Sequence, residues 1–253
     1  MAQFKQDTPT LTDEDIFGIQ SGEHPSPWSV LGPHSNHGQT SVVTFQPEAV
    51  SVAAICDSKP IPLQRVDGDL FEGTVTSRDY LLTVQYADGS THSMRDPFSF
   101  GPVLSELDQY LIGEGKHKEL WRALGANVMT HQGVDGVHFA VWAPNAKRVS
   151  VIGDFNIWDG RRHPMRTSGE TGVWEIFVPG LGEGQLYKFQ VTGADGVTRD
   201  KADPVGFGSQ HPPEQASVVR KIADYKWQDS DWMKDRANRT DRSKPISIYV
   251  VHL

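Results

Sequence analysis

The run Tyr80-Leu81-Leu82-Thr83-Val84-Gln85-Tyr86-Ala87-Asp88-Gly89, continued by Asp96-Pro97 and Phe100-Gly101, returns 107 positions later as Tyr187-Lys188-Phe189-Gln190-Val191-Thr192-Gly193-Ala194-Asp195-Gly196, Asp203-Pro204 and Phe207-Gly208. Residues 79–101 align on 186–208 without a gap, a match of spacing that chance does not produce. Each copy reads as an apolar, alternating strand, an Asp-Gly hairpin turn and a second strand. Upstream the match loosens. Phe45-Gln46-Pro47-Glu48-Ala49 before Val50-Ser51-Val52 parallels Trp142-Ala143-Pro144-Asn145-Ala146 before Val149-Ser150-Val151.

A repeat of this length implies two copies of one fold. The period and punctuation are those of an immunoglobulin-like β-sandwich, so the expected class is all-β, two such sandwiches in tandem. Composition agrees: 24 Gly and 16 Pro spread over 253 residues indicate many turns between short strands. Strands are expected at Ser41–Phe45, Val50–Ile55, Leu70–Val75 and Tyr80–Tyr86, then at Val137–Trp142, Arg148–Ile152, Gly172–Val178 and Gln185–Thr192. Thr12 followed by Asp15 reads as a helix cap, and Leu104, Leu107 and Leu111 before Gly113 read as a short amphipathic helix. The expected organisation is a polar segment over 1–25, a first sandwich over 26–101, a helical linker over 102–124, a second sandwich over 125–220 and a charged linker over 221–245 carrying Trp227 and Trp232.

The net charge of −8 and the lack of a basic run remove the electrostatic term that drives nucleic-acid binding. No stretch approaches the roughly 20 apolar residues that span a bilayer, and no signal-peptide core precedes Gln20, so neither a nucleic-acid nor a membrane partner is expected and the expected compartment is cytoplasmic. The single Cys56 fits a reducing compartment. No phosphate loop, dinucleotide fingerprint, nucleophile elbow or zinc pattern is present. His24, His34 and His37 share one loop-like stretch without metal-ligand spacing and read as loop residues. Asp154 and Asp159 flank Phe155-Asn156-Ile157-Trp158 in turn-like composition and read as turn residues. No catalytic residue, metal site or cofactor is therefore expected.

The segment Gly153 to Met165 does carry a binding signal. Trp158, within a turn of Asn, Asp and Gly, is either an exposed indole on which the apolar face of a sugar stacks or the plug at one end of a sandwich core. Lys188 alternates with Tyr187 and Phe189 and points to the opposite face of its strand. There it either hydrogen-bonds sugar hydroxyls or is solvated.

Phe139-Ala140-Val141-Trp142-Ala143-Pro144-Asn145-Ala146, Asp154-Phe155-Asn156, Asp159-Gly160-Arg161-Arg162-His163-Pro164-Met165 and Leu186-Tyr187-Lys188-Phe189 resemble the carbohydrate-binding module of bacterial glycogen branching enzymes. Trp28-Ser29-Val30-Leu31-Gly32-Pro33-His34 and Asp96-Pro97-Phe98-Ser99-Phe100-Gly101 resemble the additional amino-terminal module of the longer members of that family. Residues 246–253 resemble the first strand of the family's catalytic (β/α)8 barrel, with Val250 where the family usually has Glu, and Val197-Thr198 stand where related modules often carry a second stacking Trp. The resemblance implies a non-catalytic part of a branching enzyme, which binds α-1,4-glucan through Trp158 and Lys188 and packs on the catalytic barrel of the same polypeptide. It leaves open a stand-alone glucan-binding module and the equivalent part of a debranching relative.

Overall fold

The computed structural model describes residues 11–36, 38–222, 226–239 and 241–251. The chain forms two compact units, Met1–Lys221 and Ile222–Leu253.

In the first unit, α1 (Asp13–Ser21) starts at a capping box: the Thr12 side chain accepts from Asp15 N–H while the Asp15 carboxylate accepts from Thr12 N–H. Seven strands follow: β1 (Gly32–Asn36), β2 (Gln39–Phe45), β3 (Ala49–Cys56), β4 (Lys59–Asp67), β5 (Leu70–Val75), β6 (Leu81–Tyr86) and β7 (Thr91–Arg95). Their order is β1-β2-β5-β4-β3-β6-β7. One apolar cluster joins Val42 and Phe71 from one half of this sheet to Val52, Ala54, Leu82 and Val84 from the other, so the sheet is folded over on itself. The other face of β2 is covered as well, because Val43 and Phe45 pack with Ile19 of α1 and with Val30 and Leu31.

Helices α2 (Glu106–Gly113) and α3 (Leu120–Ala123) lead to β8 (Gly125–His131), β9 (Val134–Trp142), β10 (Arg148–Gly153), β11 (Arg166–Thr167), β12 (Val173–Pro179), β13 (Leu186–Thr192), β14 (Thr198–Lys201) and β15 (Ser217–Val218). They form the sheets β11-β12-β9-β8 and β10-β13-β14, with β15 also paired to β13. Val137, Phe139, Ile176 and Val178 of one sheet pack on Val149, Val151, Tyr187 and Phe189 of the other. At roughly 1.5–3 kcal/mol per fully buried large side chain, this layer is a main source of stability.

The two strand orders superimpose. Reading β1 to β7 onto β8 to β14 turns β1-β2-β5-β4 into β8-β9-β12-β11 and β3-β6-β7 into β10-β13-β14. The register corrects the upstream alignment, however. Val52 faces Val84 as Val149 faces Val191, so Val52-Ala53-Ala54 is the equivalent of Val149-Ser150-Val151, and the earlier pairing of Val50 with Val149 is displaced by two residues. A two-residue slip keeps side chains on their faces, which is why the identity match was misleading, and a bulge between Ala49 and Ser51 lies at that point.

The copies differ at one turn. Asp57 and Ser58, both with positive φ, close a tight β3–β4 hairpin. In the second copy the segment 154–165 replaces that turn, and the Ser150–Pro164 bridge pairs β10 with the chain before β11.

That inserted loop fastens the two sandwiches together. Arg161 donates to Gln20 O at 3.1 Å and lies 5.3 Å over the Phe45 ring, and Arg162 donates to Pro47 O at 3.4 Å. Trp28 Nε1 donates to Pro164 O at 3.0 Å, with the Arg166 guanidinium 4.3 Å over its ring. The linker is pinned too: Glu175 Oε2 accepts from Val103 N, Leu104 N and His138 Nε2, and Leu104 packs with Ala140 and Val173. The helical linker is therefore part of a packed junction.

In the second unit, α4 (Ser230–Arg239) lies within the stretch read as a charged linker, and Trp227 and Trp232 are exposed. Asp235 and Arg239, four residues apart, form an ion pair on it. Residues 246–251 form no strand, and Ile246, Ile248, Tyr249, Val250 and Val251 are exposed. The strand expected there pairs with nothing among the described residues, as expected for a segment apolar on both faces that needs neighbours on each side.

Candidate functional site

The loop 154–165 is organised from within by Asn156. Its Oδ1 accepts from Gly153 N–H, and its Nδ2 donates to Val151 O and to His163 Nδ1. Burial, reinforced by the charge of Arg162, lowers the His163 pKa from 6.5 to about 4, so the ring is neutral at pH 7. Asp159 binds Arg161 through both carboxylate oxygens. That pair keeps its carboxyl below the ordinary range even though burial opposes it.

Trp158 follows from this frame. Its N–H donates to Gly153 O and its indole Nε1 to Asp154 Oδ1 at 2.8 Å, while 36% of the residue stays exposed. Ile157 and Trp158 both have positive φ, 57° and 58°. A left-handed β-branched residue costs about 1–2 kcal/mol, and such strain concentrates at ligand-binding sites. Ile157 is nevertheless 74% exposed. The indole is thus held by its own polar edge and does not plug the core, where Phe155 instead stacks on Phe139.

Lys188 lies opposite Ile152 on the outer face of β13, while Tyr187 and Phe189 are buried within the sandwich. Its ammonium has no partner among the described residues. The loop lies over this same outer face: Ile152 and Ser150 are buried, and a Cβ at Gly160 would meet Gln190 Oε1 and Ser150 Cβ. Glycine at 160 is what allows that approach.

Two further pairs complete the face. Gln190 Nε2 donates to Asp200 Oδ1 at 3.2 Å, and the Thr192 and Thr198 hydroxyls are 2.9 Å apart. Lys188, Gln190, Thr192, Thr198 and Asp200 therefore present a row of hydrogen-bonding groups along the outer face of β13 and β14, and Trp158 is bonded to Gly153 at the end of β10. The alternation that marked Lys188 also marks Gln190 and Thr192, and only their ordinary polarity concealed them.

The other candidates have structural partners. His24 bonds Asp15 and Ser26 N–H, and His34 bonds Val30 O; His37 lies outside the described residues. Among the described residues no group of His, Cys, Asp and Glu is arranged to hold a metal, and no helix is long and apolar enough to cross a membrane. Cys56 is buried in the first core.

Residues 12–98 match the family described as alpha-1,4-glucan branching enzyme GlgB, N-terminal domain, and residues 123–206 match Carbohydrate-binding module 48 (Isoamylase N-terminal domain). The chain is 49% identical over 252 residues to the 1,4-alpha-glucan branching enzyme GlgB of Roseobacter denitrificans, covering 96% of this chain and 34% of that protein. For the enzymes so named in Paramagnetospirillum magneticum and, as GlgB 1, in Streptomyces coelicolor the identity is 46%, with 96% and 97% of this chain and 33% and 32% of theirs covered. The chain thus spans about a third of the length of the curated relatives it matches. Its two sandwiches belong to the branching-enzyme amino-terminal domain family and to carbohydrate-binding module family 48, and the chain corresponds to the amino-terminal region of the 1,4-alpha-glucan branching enzymes.

Proposed function

We propose that these residues hold and guide α-1,4-glucan chains for a branching reaction whose chemistry lies in a catalytic barrel of the same polypeptide. Glucan contacts the outer face of β10-β13-β14, stacking on Trp158 and bonding its hydroxyls to Lys188, Gln190 and the Thr192–Thr198 pair. The observation that carries this reading is the Trp158 indole, kept exposed and fixed by Asp154 at the end of β10, the strand next to the one that carries Lys188 and Gln190. A held aromatic face with convergent hydrogen-bonding groups suits an uncharged ring with one apolar side.

These residues contribute binding and no catalysis. Retaining glycosyl transfer needs two carboxyl groups about 5–5.5 Å apart across the scissile bond. Here Asp154 orients Trp158, Asp159 binds Arg161, and Asp96 and Asp203 are buried against tyrosines. Affinity electrophoresis in gels containing glycogen tests the site. The chain should be retarded, and Trp158→Ala or Lys188→Met should remove most of the retardation. Unchanged retardation of a folded Trp158→Ala protein would place the site elsewhere.

A further inference from the structure

We infer that the junction between the two sandwiches is a second oligosaccharide site, a cleft that takes a short neutral stretch of α-glucan and that uses residues of both sandwiches. The inference rests on the glucan-binding reading of the outer face but involves different residues.

The cleft is an open groove of about 540 Å³. Tyr86, Asp88 and His92 of the β6–β7 hairpin form one wall, and Phe155 and Arg162 of the inserted loop form the other. Glu48, from the turn before β3, also lines it. Trp158 does not.

Its rings are fixed before any ligand arrives. Tyr86 meets His92 edge to face with centroids 5.7 Å apart, and Phe155 is stacked on Phe139 at 5.9 Å. Fixed rings give contact area without a large ordering cost. The exposed Ile157 side chain lines the same space, so the strained Ile157-Trp158 turn supplies one residue to each site.

The polar groups select the ligand class. Arg162 lines the cleft, its Nη2 makes only the 3.4 Å contact to Pro47 O and its Nη1 has no partner among the described residues, which leaves donors for a ligand hydroxyl. Glu48 and Asp88 supply carboxylate acceptors. Two acids beside one guanidinium repel a phosphate, whereas a polyol, which donates and accepts through every hydroxyl, satisfies both. A neutral sugar also has an apolar face to lay against Tyr86, Phe155 and Ile157.

An NMR titration of the ¹⁵N-labelled chain with maltoheptaose tests the site. Amides of residues 86–94 should shift together with those of β13. Arg162→Ala and Tyr86→Leu should each weaken the response at 86–94 by fivefold or more, and Trp158→Ala should change it by less than twofold. The amide spectrum reports the folding of each variant, and Tyr86→Leu keeps an apolar side chain should Arg162→Ala fail to fold. If β13 shifts at saturating maltoheptaose while 86–94 does not, the cleft is overturned and the outer face stands. Wild-type affinity at 86–94 in both variants, or a stronger response there to glucose 1-phosphate, also overturns it. No shift anywhere overturns the glucan reading itself.

Discussion

The Tyr80 hydroxyl donates to Asp96 Oδ2 at 2.6 Å within the first core. In the second sandwich Tyr187 donates to Asp203 Oδ2 at the same distance. In each copy the other carboxylate oxygen caps the following turn, through Phe98 N–H in one and Val205 N–H in the other. The repeat read in the sequence is thus a repeated device: a tyrosine at the start of one strand ties down the Asp-Pro that ends the next.

Burial raises the Asp96 carboxyl from 3.8 to about 6, against the pull of the Tyr80 hydroxyl and the Phe98 N–H. Between those values the folded state binds more protons than the unfolded one, so stability falls as pH rises from about 4 through 6. Tyr80→Phe removes a bond that favours the ionised form and raises the Asp96 pKa further. The expected loss is about 2 kcal/mol at pH 8 and clearly less at pH 5, measured by urea unfolding. Tyr187→Phe should behave likewise, since burial also raises Asp203. Equal losses at both pH values would contradict this account.

His163 acts with the opposite sign. Its folded pKa of about 4 lies below the ordinary 6.5, so the unfolded chain binds the extra proton and stability falls as pH drops from 6.5 towards 4. The contribution at stake is at most about 3 kcal/mol. His163→Gln should flatten the stability profile over that window when compared with the parent chain by urea unfolding. An unchanged slope would mean that the ring is not held neutral.

Trp28, packed edge-on against Phe98 of the first sandwich, joins it to the second through Pro164 and Arg166. Trp28→Ala should cost about 2–4 kcal/mol and separate one thermal transition into two in calorimetry. A variant with the parent melting profile would show that the junction contributes little.

Much of this was legible in the sequence because the decisive patterns are local. The Asp-Gly turns, the alternation of Tyr187, Lys188 and Phe189, and the Thr12 cap each depend on neighbours within a few residues. Strands β1, β4, β8, β11 and β15 went unread, being at a sheet edge, interrupted by proline or very short: β4 includes Pro60 and Pro62, and β11 and β15 have two residues each. The role of Asp159 to Pro164 was also hidden. The string marked the family, but its contacts to Gln20, Phe45, Pro47 and Trp28 join residues more than a hundred positions apart, which no local pattern encodes. Gln190 and Asp200 became visible as site residues only once the register placed them side by side.

The most direct measurement is titration calorimetry with maltoheptaose on the Arg162→Ala chain, in which the junction cleft is weakened, with and without Trp158→Ala. The account predicts a dissociation constant between high micromolar and millimolar for Arg162→Ala, about −4 to −6 kcal/mol, weakened tenfold or more when Trp158 is also removed. A folded double variant that binds maltoheptaose with the same constant and the same heat would contradict the claim that Trp158 and the outer face of β10-β13-β14 hold the glucan.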